Sequence, residues 1–223
     1  MTTTLHSTYI TFPEIKLRTR DAHKLRGYFG NLFREHSPLL HNHLEDGALR
    51  YKYPLVQFKV VNELPMLVGF EEGAQLLTQL FLKINELDIA GQKYAVSAKN
   101  MDTHTHCIGL SDQINFYRFD TLWMALNQEN HALYKTYTPE QQHDQLKGIA
   151  TQNILAFFSA FGLRLAPEQR LMVALKVKER ETRFKNNTML AFSGELITNA
   201  LIPDFAGIGK SAARGFGTLQ KII

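Results

Sequence analysis

Several features that would place this chain outside the cytoplasm are missing from its sequence. Cys107 is the only cysteine in 223 residues, so no disulfide can form within the chain. No run of apolar residues approaches the length needed to cross a membrane, and the N-terminus lacks the basic and apolar regions of a secretory signal. We therefore expect a cytoplasmic protein that does not associate with membranes.

The chain also has little excess charge of either sign. Its 25 Lys and Arg residues exceed its 21 Asp and Glu residues by 4, for a sequence pI of about 9.1. A balance this modest favours a polyanionic partner only weakly. The basic residues do cluster in two stretches, which by themselves indicate two solvated faces: Lys16, Arg18, Arg20, Lys24 and Arg26, then Lys176, Lys178, Arg180, Arg183 and Lys185.

What the sequence does have is enough apolar residues for a substantial core, at 44% of the chain. In the first half, alternating apolar residues predict strands and apolar residues at helical spacing predict helices. The predicted order is strand, helix, strand, strand, helix, strand: Leu5–Leu17, Asp21 to Pro38, Tyr53–Val61, Pro65–Phe70, Glu71–Leu87 and Gln92–Ala98. This is the βαββαβ order of a ferredoxin-like unit.

The second half repeats this order less completely. We predict a strand, a long helix, a hairpin and a final strand at Ile114–Leu126, Pro139–Phe161, Leu171–Lys178 with Thr188–Ile197, and Phe216–Ile222. Pro203 leaves little room for the second helix. The predicted fold class is therefore α+β: two tandem ferredoxin-like (RRM-like) units with antiparallel sheets, residues 1–105 and 106–223, connected near residues 100–112.

A glycine-rich segment comes just before the predicted last strand. Glycines allow positive φ and a close approach of the backbone, so N–H groups can converge on an anion. Basic, hydroxyl and aromatic side chains accompany them: the segment contains Gly207, Gly209, Lys210, Ser211, Arg214, Gly215, Phe216 and Gly217. We predict that these residues bind an anionic ligand such as a phosphate backbone, with a tight structural connection as the alternative.

Two nucleotide-binding motifs that this segment imitates are excluded. A P-loop would need glycine where Asp204 stands. A dinucleotide fingerprint must open a βαβ unit, and the eleven residues after Ala212 are too few to build one.

The whole pattern, a GxG, a short basic stretch and a GFG before a terminal strand, resembles the C-terminal signature of the CRISPR-associated RAMP superfamily. Within it, the chain is most similar to the endoribonucleases that process crRNA by cutting repeat RNA. Two further segments carry the resemblance: Leu25–Leu32 is similar to that family's first helix, and His43–Gly47 leading into Tyr53–Leu55 is similar to its histidine-bearing loop and following strand.

The resemblance implies RNA cleavage that requires no metal and no cofactor. In such a reaction the 2′-hydroxyl attacks the phosphate, a general base and a general acid move the protons, and the first product carries a 2′,3′-cyclic phosphate. It favours His43 as the acid–base residue, with His41 as a second one and Tyr28 as a hydroxyl partner. Some family members have their tyrosine slightly later on this helix, where this chain has Gly30.

Cations should surround the reacting phosphate. Arg50, Lys52 and Lys59 are the candidate phosphate ligands in the first unit. Another histidine cluster, His104-Thr105-His106-Cys107 with Asp102, could also suggest a metal site. A solvated loop is the preferred interpretation, because a fixed metal needs three or four well-placed ligands.

The leading functional hypothesis is an endoribonuclease that cleaves CRISPR repeat RNA and yields mature crRNA. A second hypothesis is a non-catalytic RAMP subunit that binds crRNA in an effector complex with other Cas proteins. His41 and His43 distinguish these two hypotheses, since a protein that only binds RNA does not need them. A third is a ferredoxin-like domain for protein interactions. The sequence leaves monomer and homodimer equally open.

Overall fold

The computed structural model describes residues 2–32, 53–184 and 187–222. The chain divides into two compact units. The N-terminal unit comprises Thr4–His106 and Ala213–Gly215; the C-terminal unit comprises Met1–Thr3, Cys107–Ala212 and Phe216–Ile223. Each combines helices with antiparallel strand pairs, which confirms the predicted α+β class. Within the described ranges, no helix is both long enough and apolar enough to span a membrane.

The elements of the N-terminal unit are β1 (Thr2–Thr11), α1 (Ala22–Leu32), β2 (Val56–Val61), β3 (Leu64–Phe70), α2 (Glu72–Leu80), β4 (Glu86–Ile89), β5 (Gln92–Ala95) and the start of β6 (Asn100–Phe119). Its sheet has the strand order β2-β3-β1-β6. β3 lies between β2 and β1 and is antiparallel to both. The two short strands β4 and β5 form a separate hairpin.

One hydrophobic core joins both helices of this unit to its sheet. Phe29 of α1 stacks against Phe58 of β2, with ring centroids 5.8 Å apart, and against Phe12, with centroids 6.4 Å apart. Residues that alternate with Phe58 along β2 point to the opposite face of the strand. Because Gln57 and Lys59 on that face are both 0% exposed, β2 is buried on both sides.

The C-terminal unit uses the rest of β6 as a central strand. Its other elements are α3 (Gln128–Tyr134), α4 (Pro139–Ala160), β7 (Val173–Phe184), β8 (Asn187–Leu201) and β9 (Leu219–Lys221). β8 and β9 both pair with β6, and β7 pairs with β8, all antiparallel. A short 3₁₀ turn at Ala212–Arg214, rather than a second long helix, precedes β9.

The start of α4 follows directly from its sequence. Thr138 Oγ1 accepts a hydrogen bond from the Gln141 backbone N–H at 3.4 Å, and the Gln141 side chain accepts one from the Thr138 N–H at 2.9 Å. This reciprocal cap satisfies two backbone donors, and Pro139 occupies the first helical position, where it loses no hydrogen bond. The helix predicted at Pro139–Phe161 is confirmed.

The sequence prediction was wrong about the region between the units. Residues 100–112, predicted as a connection, belong to the 20-residue strand β6. Gln92–Ala95 is not the fourth strand of the N-terminal sheet but half of the β4–β5 hairpin, and β6 takes the fourth position. Threonine is common in strands, but Thr103 and Thr105 lie in a polar stretch without apolar alternation, and backbone pairing keeps it in a strand while these side chains are exposed.

Candidate functional site

The glycine-rich segment is held closely against the C-terminal unit by its own backbone. Gly207 pairs with Thr218, and the Ile208 N–H donates to the Gly217 carbonyl at 2.9 Å. The Lys210 N–H donates to the Met124 carbonyl at 3.0 Å, and the Gly217 N–H donates to the Leu122 carbonyl at 2.9 Å. These donors are therefore used within the protein and are not presented to a ligand.

Its glycines are required by close packing. Gly209, Gly215 and Gly217 all have positive φ, at 84°, 88° and 62°. A Cβ on Gly209 would lie 2.6 Å from Trp123 Nε1, and one on Gly217 would lie 2.0 Å from the Ile208 carbonyl oxygen. The tight structural connection that the sequence left as an alternative thus accounts for these glycines.

Several side chains of the segment reach the protein surface. Lys210 is exposed, while Ser211, Arg214 and Phe216 are half-buried. Ser211 has a positive φ of 60°, a conformation rare for a residue with a side chain. Any anion contact by this segment would therefore rely on Lys210, Ser211 and Arg214 more than on the amides of Lys210 and Gly217.

Gly215 belongs to the N-terminal unit by its contacts. A Cβ there would come within 2.8 Å of Ala22 Cβ, 2.9 Å of the Phe58 carbonyl oxygen and 3.4 Å of Lys59 Cα. Its backbone thus lies against the start of α1 and the middle of β2, two of the elements that flank the predicted histidine segment in the sequence.

Lys59, a predicted phosphate ligand, is fully buried in β2. Burial lowers the pKa of its ammonium to about 7, because the charged form loses its hydration. An RNA phosphate would reach this group only after movement of the atoms that cover it.

Tyr28, the predicted hydroxyl partner, lies on α1. Its hydroxyl donates to the Glu86 carbonyl at 2.7 Å. Burial raises its pKa, and the nearby carboxylates of Glu86 and Asp88 raise it further, so the hydroxyl stays protonated near neutral pH. With its one hydrogen used in this way, the oxygen can accept another hydrogen bond but not donate one.

The other predicted residues of the first unit, His41, His43, Arg50 and Lys52, lie outside the described residues. They belong to the part of the sequence between the end of α1 at Leu32 and the start of β2 at Val56.

The second histidine cluster is part of β6 and faces β1. His106 Nε2 lies 2.8 Å from Ser7 Oγ and 3.2 Å from the Tyr9 hydroxyl oxygen. His104 lies beside the Tyr9 ring, with centroids 5.0 Å apart. Across the described ranges, no three His, Cys, Asp or Glu side chains converge as a metal-binding group.

The N-terminal basic residues do not form one uniform solvated face. Lys24 Nζ lies 2.7 Å from Asp21 Oδ1 and Arg18 Nε lies 3.4 Å from Asp21 Oδ2. Arg26 instead is half-buried, and its pKa is lowered first by burial and then by the positive charge of Arg214. The sequence does not reveal this effect of Arg214, because nothing local to Arg26 indicates an influence from the other end of the chain.

Comparison with known proteins identifies both halves of the chain. The family model of the Cas6b N-terminal domain matches residues 3–107, and that of the Cas6b C-terminal domain matches residues 109–222. A crystal structure of Cas6b is 34% identical to this chain, with a TM-score of 0.93 over 99% of this chain and 100% of that one.

Two further relatives agree. The structure of a CRISPR RNA processing endoribonuclease Cas6b is 31% identical, with a TM-score of 0.81 over 99% of this chain and 100% of that one. An uncharacterized protein of Methanocaldococcus jannaschii is 28% identical over 145 residues, which are 65% of this chain and 97% of the relative. With both domain models matched over nearly its whole length, the chain belongs to the Cas6b family, among the crRNA-processing endoribonucleases that its glycine-rich segment and histidine segment resemble.

Proposed function

We propose that this protein binds CRISPR repeat RNA and cleaves it to crRNA without a metal ion. The observation that carries the proposal is the likeness along the whole chain, at 31% identity, to a CRISPR RNA processing endoribonuclease. Both Cas6b domain models also match, over ranges that contain the histidine segment and the glycine-rich segment.

The proposed architecture is a pair of ferredoxin-like units, residues 1–105 and 106–223. The strand orders β2-β3-β1-β6 and β7-β8-β6-β9 support it. Each order places the first strand of its unit between the third and the fourth, as expected of a βαββαβ unit. In the second half of the sequence the 3₁₀ turn at Ala212–Arg214 stands where the second helix would be.

In the proposed mechanism the RNA 2′-hydroxyl is the nucleophile. His41 and His43 take its proton and protonate the departing 5′-oxygen, since imidazole has a pKa near neutrality. Arg50 and Lys52 stabilise the negative charge that builds up on the phosphate. Tyr28 would accept a hydrogen bond from the RNA or from a protonated histidine, a role compatible with its bond to the Glu86 carbonyl.

Binding would rely on the glycine-rich segment. We propose that Lys210, Ser211 and Arg214 contact RNA phosphates and that Phe216 packs against a base. The glycines contribute indirectly: they allow the segment to lie close to Trp123 and Ile208 and so hold these side chains in place.

Cleavage of the cognate repeat RNA in EDTA tests the mechanism. Wild-type protein should cut at one site and leave a 2′,3′-cyclic phosphate, while RNA with a 2′-deoxyribose at that site should survive. His41→Ala and His43→Ala should each slow cleavage by at least about tenfold. His143→Ala, which removes an exposed histidine from α4, is the matched control.

The outcomes separate the two RNA-related hypotheses. Tight binding of repeat RNA with no product would select the non-catalytic RAMP subunit. Cleavage that EDTA abolishes, or that both histidine substitutions leave unchanged, would refute the proposed mechanism.

A further inference from the structure

The sheet of the C-terminal unit has a buried face and an open face. Tyr117 of β6, Leu175 of β7 and Leu196 of β8 lie opposite one another and are 1%, 6% and 0% exposed, so their side of the sheet packs on the core. Successive side chains along a strand point to opposite faces. Arg118 and Lys176, the next residues along β6 and β7, therefore point to the other face, and both are exposed.

The strand register gathers several functional groups on this open face. Lys176 lies opposite Glu195, which lies opposite Arg118. Arg118 in turn lies opposite Gln220 of β9. Directly opposite residues share a face, so these side chains form one row across four strands. Phe116, which is half-buried, lies two residues before Arg118 on the same side of β6. An aromatic ring thus stands beside a row that contains two cations.

β7 separates its charges between its two sides. Lys176, Lys178 and Arg180 are all exposed and, being two residues apart, all belong to the open face. Glu179 and Glu181 point the other way, and Glu179 accepts a hydrogen bond from the Tyr134 hydroxyl at 2.8 Å. In the part of the chain that the structure describes, no ion pair holds either lysine. A line of cations whose carboxylates are on the opposite side fits a polyanion.

Arg118 is held in one orientation by the protein. Its Nε donates to Asp120 Oδ1 at 2.8 Å, and its Nη2 donates to Gln220 Oε1 at 2.9 Å. The Asp120 side chain is 4% exposed, whereas that of Arg118 is 52% exposed. A guanidinium has five N–H donors, so within the described residues three remain for another acceptor. Because its orientation is already fixed, Arg118 would lose little conformational freedom on binding a phosphate.

We propose that the open face binds a single-stranded segment of the repeat RNA. Phe116 stacks on a base, while Arg118 and the cations of β7 contact the phosphates beside it. An aromatic ring on a sheet can reach only an unpaired base, which favours a single strand over a duplex. The inference rests on the proposed function for the identity of the ligand. It gives a role to the basic stretch that begins at Lys176 and adds Phe116 and Arg118 to the RNA-binding residues.

The first test removes two cations from the open face. The probe is repeat RNA with a 2′-deoxyribose at the cleavage site, so that binding is measured without cleavage. Lys176→Gln/Lys178→Gln should raise the Kd by about tenfold and reduce the slope of log affinity against log salt by about 1.4, for two phosphate contacts. Lys135→Gln/Lys147→Gln removes the same charge from exposed positions at α3 and α4 and should change the slope little. Equal effects of the two double variants would overturn the proposal.

The aromatic ring is tested without loss of apolar volume. Phe116→Leu should raise the Kd by about tenfold because the base loses its stacking partner, and Phe116→Tyr should bind within about twofold of the wild type. Phe161→Leu, which changes a half-buried phenylalanine at the end of α4, is the control and should bind as the wild type does. Unaltered affinity of a folded Phe116→Leu would show that no base stacks there.

Arg118 requires a readout that a structural arginine would not change. Arg118→Lys keeps the charge and should leave the salt slope as it is, while the loss of the planar guanidinium raises the Kd several-fold. Arg118→Gln should also reduce the slope by about 0.7. A lower urea midpoint in both variants with the wild-type slope and Kd would restrict Arg118 to holding β6 and β9 together, and would overturn its role in binding.

An oligouridine RNA unrelated to the repeat distinguishes this proposal from the proposed function. Stacking tolerates any base, so the wild type should bind this RNA weakly, and the substitutions on the open face should weaken it further. If this occurs but repeat RNA is not cleaved, the open face binds RNA and the proposed cleavage fails. If repeat RNA is cleaved but neither RNA responds to substitutions on the open face, the proposed function stands and this inference fails.

Discussion

Gly209 lies directly against the edge of the Trp123 indole. A Cβ on Gly209 would lie 2.6 Å from Trp123 Nε1, the same atom that donates a hydrogen bond to Asn153 Oδ1 at 3.1 Å. Trp123 is fully buried, and it stacks on Phe119 with ring centroids 5.4 Å apart. The glycine-rich segment, β6 and α4 thus meet around one side chain in the C-terminal unit.

Gly209→Ala should therefore lower the free energy of unfolding by more than the cost of placing an alanine at a positive φ. Gly91 is a matched control, because its φ of 86° is nearly that of Gly209 at 84° but a Cβ there meets no atom within 4 Å. We expect Gly91→Ala to lower the free energy of unfolding by about 1 kcal/mol and Gly209→Ala by roughly 1–3 kcal/mol more. Urea denaturation measures both.

Fluorescence gives an independent check on the same pair, since Trp123 is the only tryptophan. Gly209→Ala should shift its emission, whereas Gly91→Ala should leave the spectrum unchanged. Equal losses of stability in the two variants would show that packing against Trp123 contributes nothing.

Lys59 should make stability depend on pH above neutrality. Burial lowers its pKa to about 7 in the folded protein, below the ordinary value of 10.5. Between these pH values the unfolded chain binds more protons than the folded one, so stability should rise as pH increases from about 7 to about 10. Below about pH 7 Lys59 is protonated in the folded protein as well, so burying its charge lowers the free energy of unfolding by the full amount.

Lys59→Met tests this by removing the ionisable group. The variant should gain a few kcal/mol over the wild type near pH 7, and the gain should shrink toward pH 10. Exposed Lys135, replaced in the same way, serves as the control and should leave the pH profile unaltered. A difference between wild type and Lys59→Met that stays constant with pH would contradict the lowered pKa.

Lys210→Ala should weaken RNA binding without affecting the fold, because the side chain is exposed while its backbone N–H is bonded to Met124. Loss of one phosphate contact should reduce the slope of log affinity against log salt by about 0.7 for single-stranded RNA. Titrations at several salt concentrations measure the slope, with Lys135→Ala as a charge-matched control. Identical slopes for the two variants would remove Lys210 from the binding surface.

Tyr28→Phe separates a structural from a catalytic role of the hydroxyl. Loss of the bond to the Glu86 carbonyl should cost about 1 kcal/mol of stability. If the oxygen also accepts a hydrogen bond in the reaction, single-turnover cleavage at saturating RNA should slow by about tenfold. Tyr94→Phe, in the β4–β5 hairpin of the same unit, is the control. A stability loss with an unchanged rate would limit Tyr28 to a structural role.

Local sequence was sufficient for features that depend on neighbouring residues. The sequence predicted a helix at Pro139–Phe161, and α4 spans Pro139–Ala160, within one residue of that prediction. Alternating residues predicted the hairpin that β7 and β8 form, though not its full length. The motif formed by the glycines and Phe216 was enough to identify the family, which the comparisons confirm.

Only the tertiary structure decided what those glycines do and which distant segments come into contact. Residues 100–112 form a strand because β1 and β8 supply backbone partners, not because their side chains favour one. The Lys210 and Gly217 amides are used internally because the carbonyls of Met124 and Leu122 lie beside them. Gly215 packs on Ala22 and on the Phe58 carbonyl, although nearly 200 residues separate it from the start of α1. Each of these contacts joins segments far apart in the chain. Local propensity does not specify which distant segments pack together.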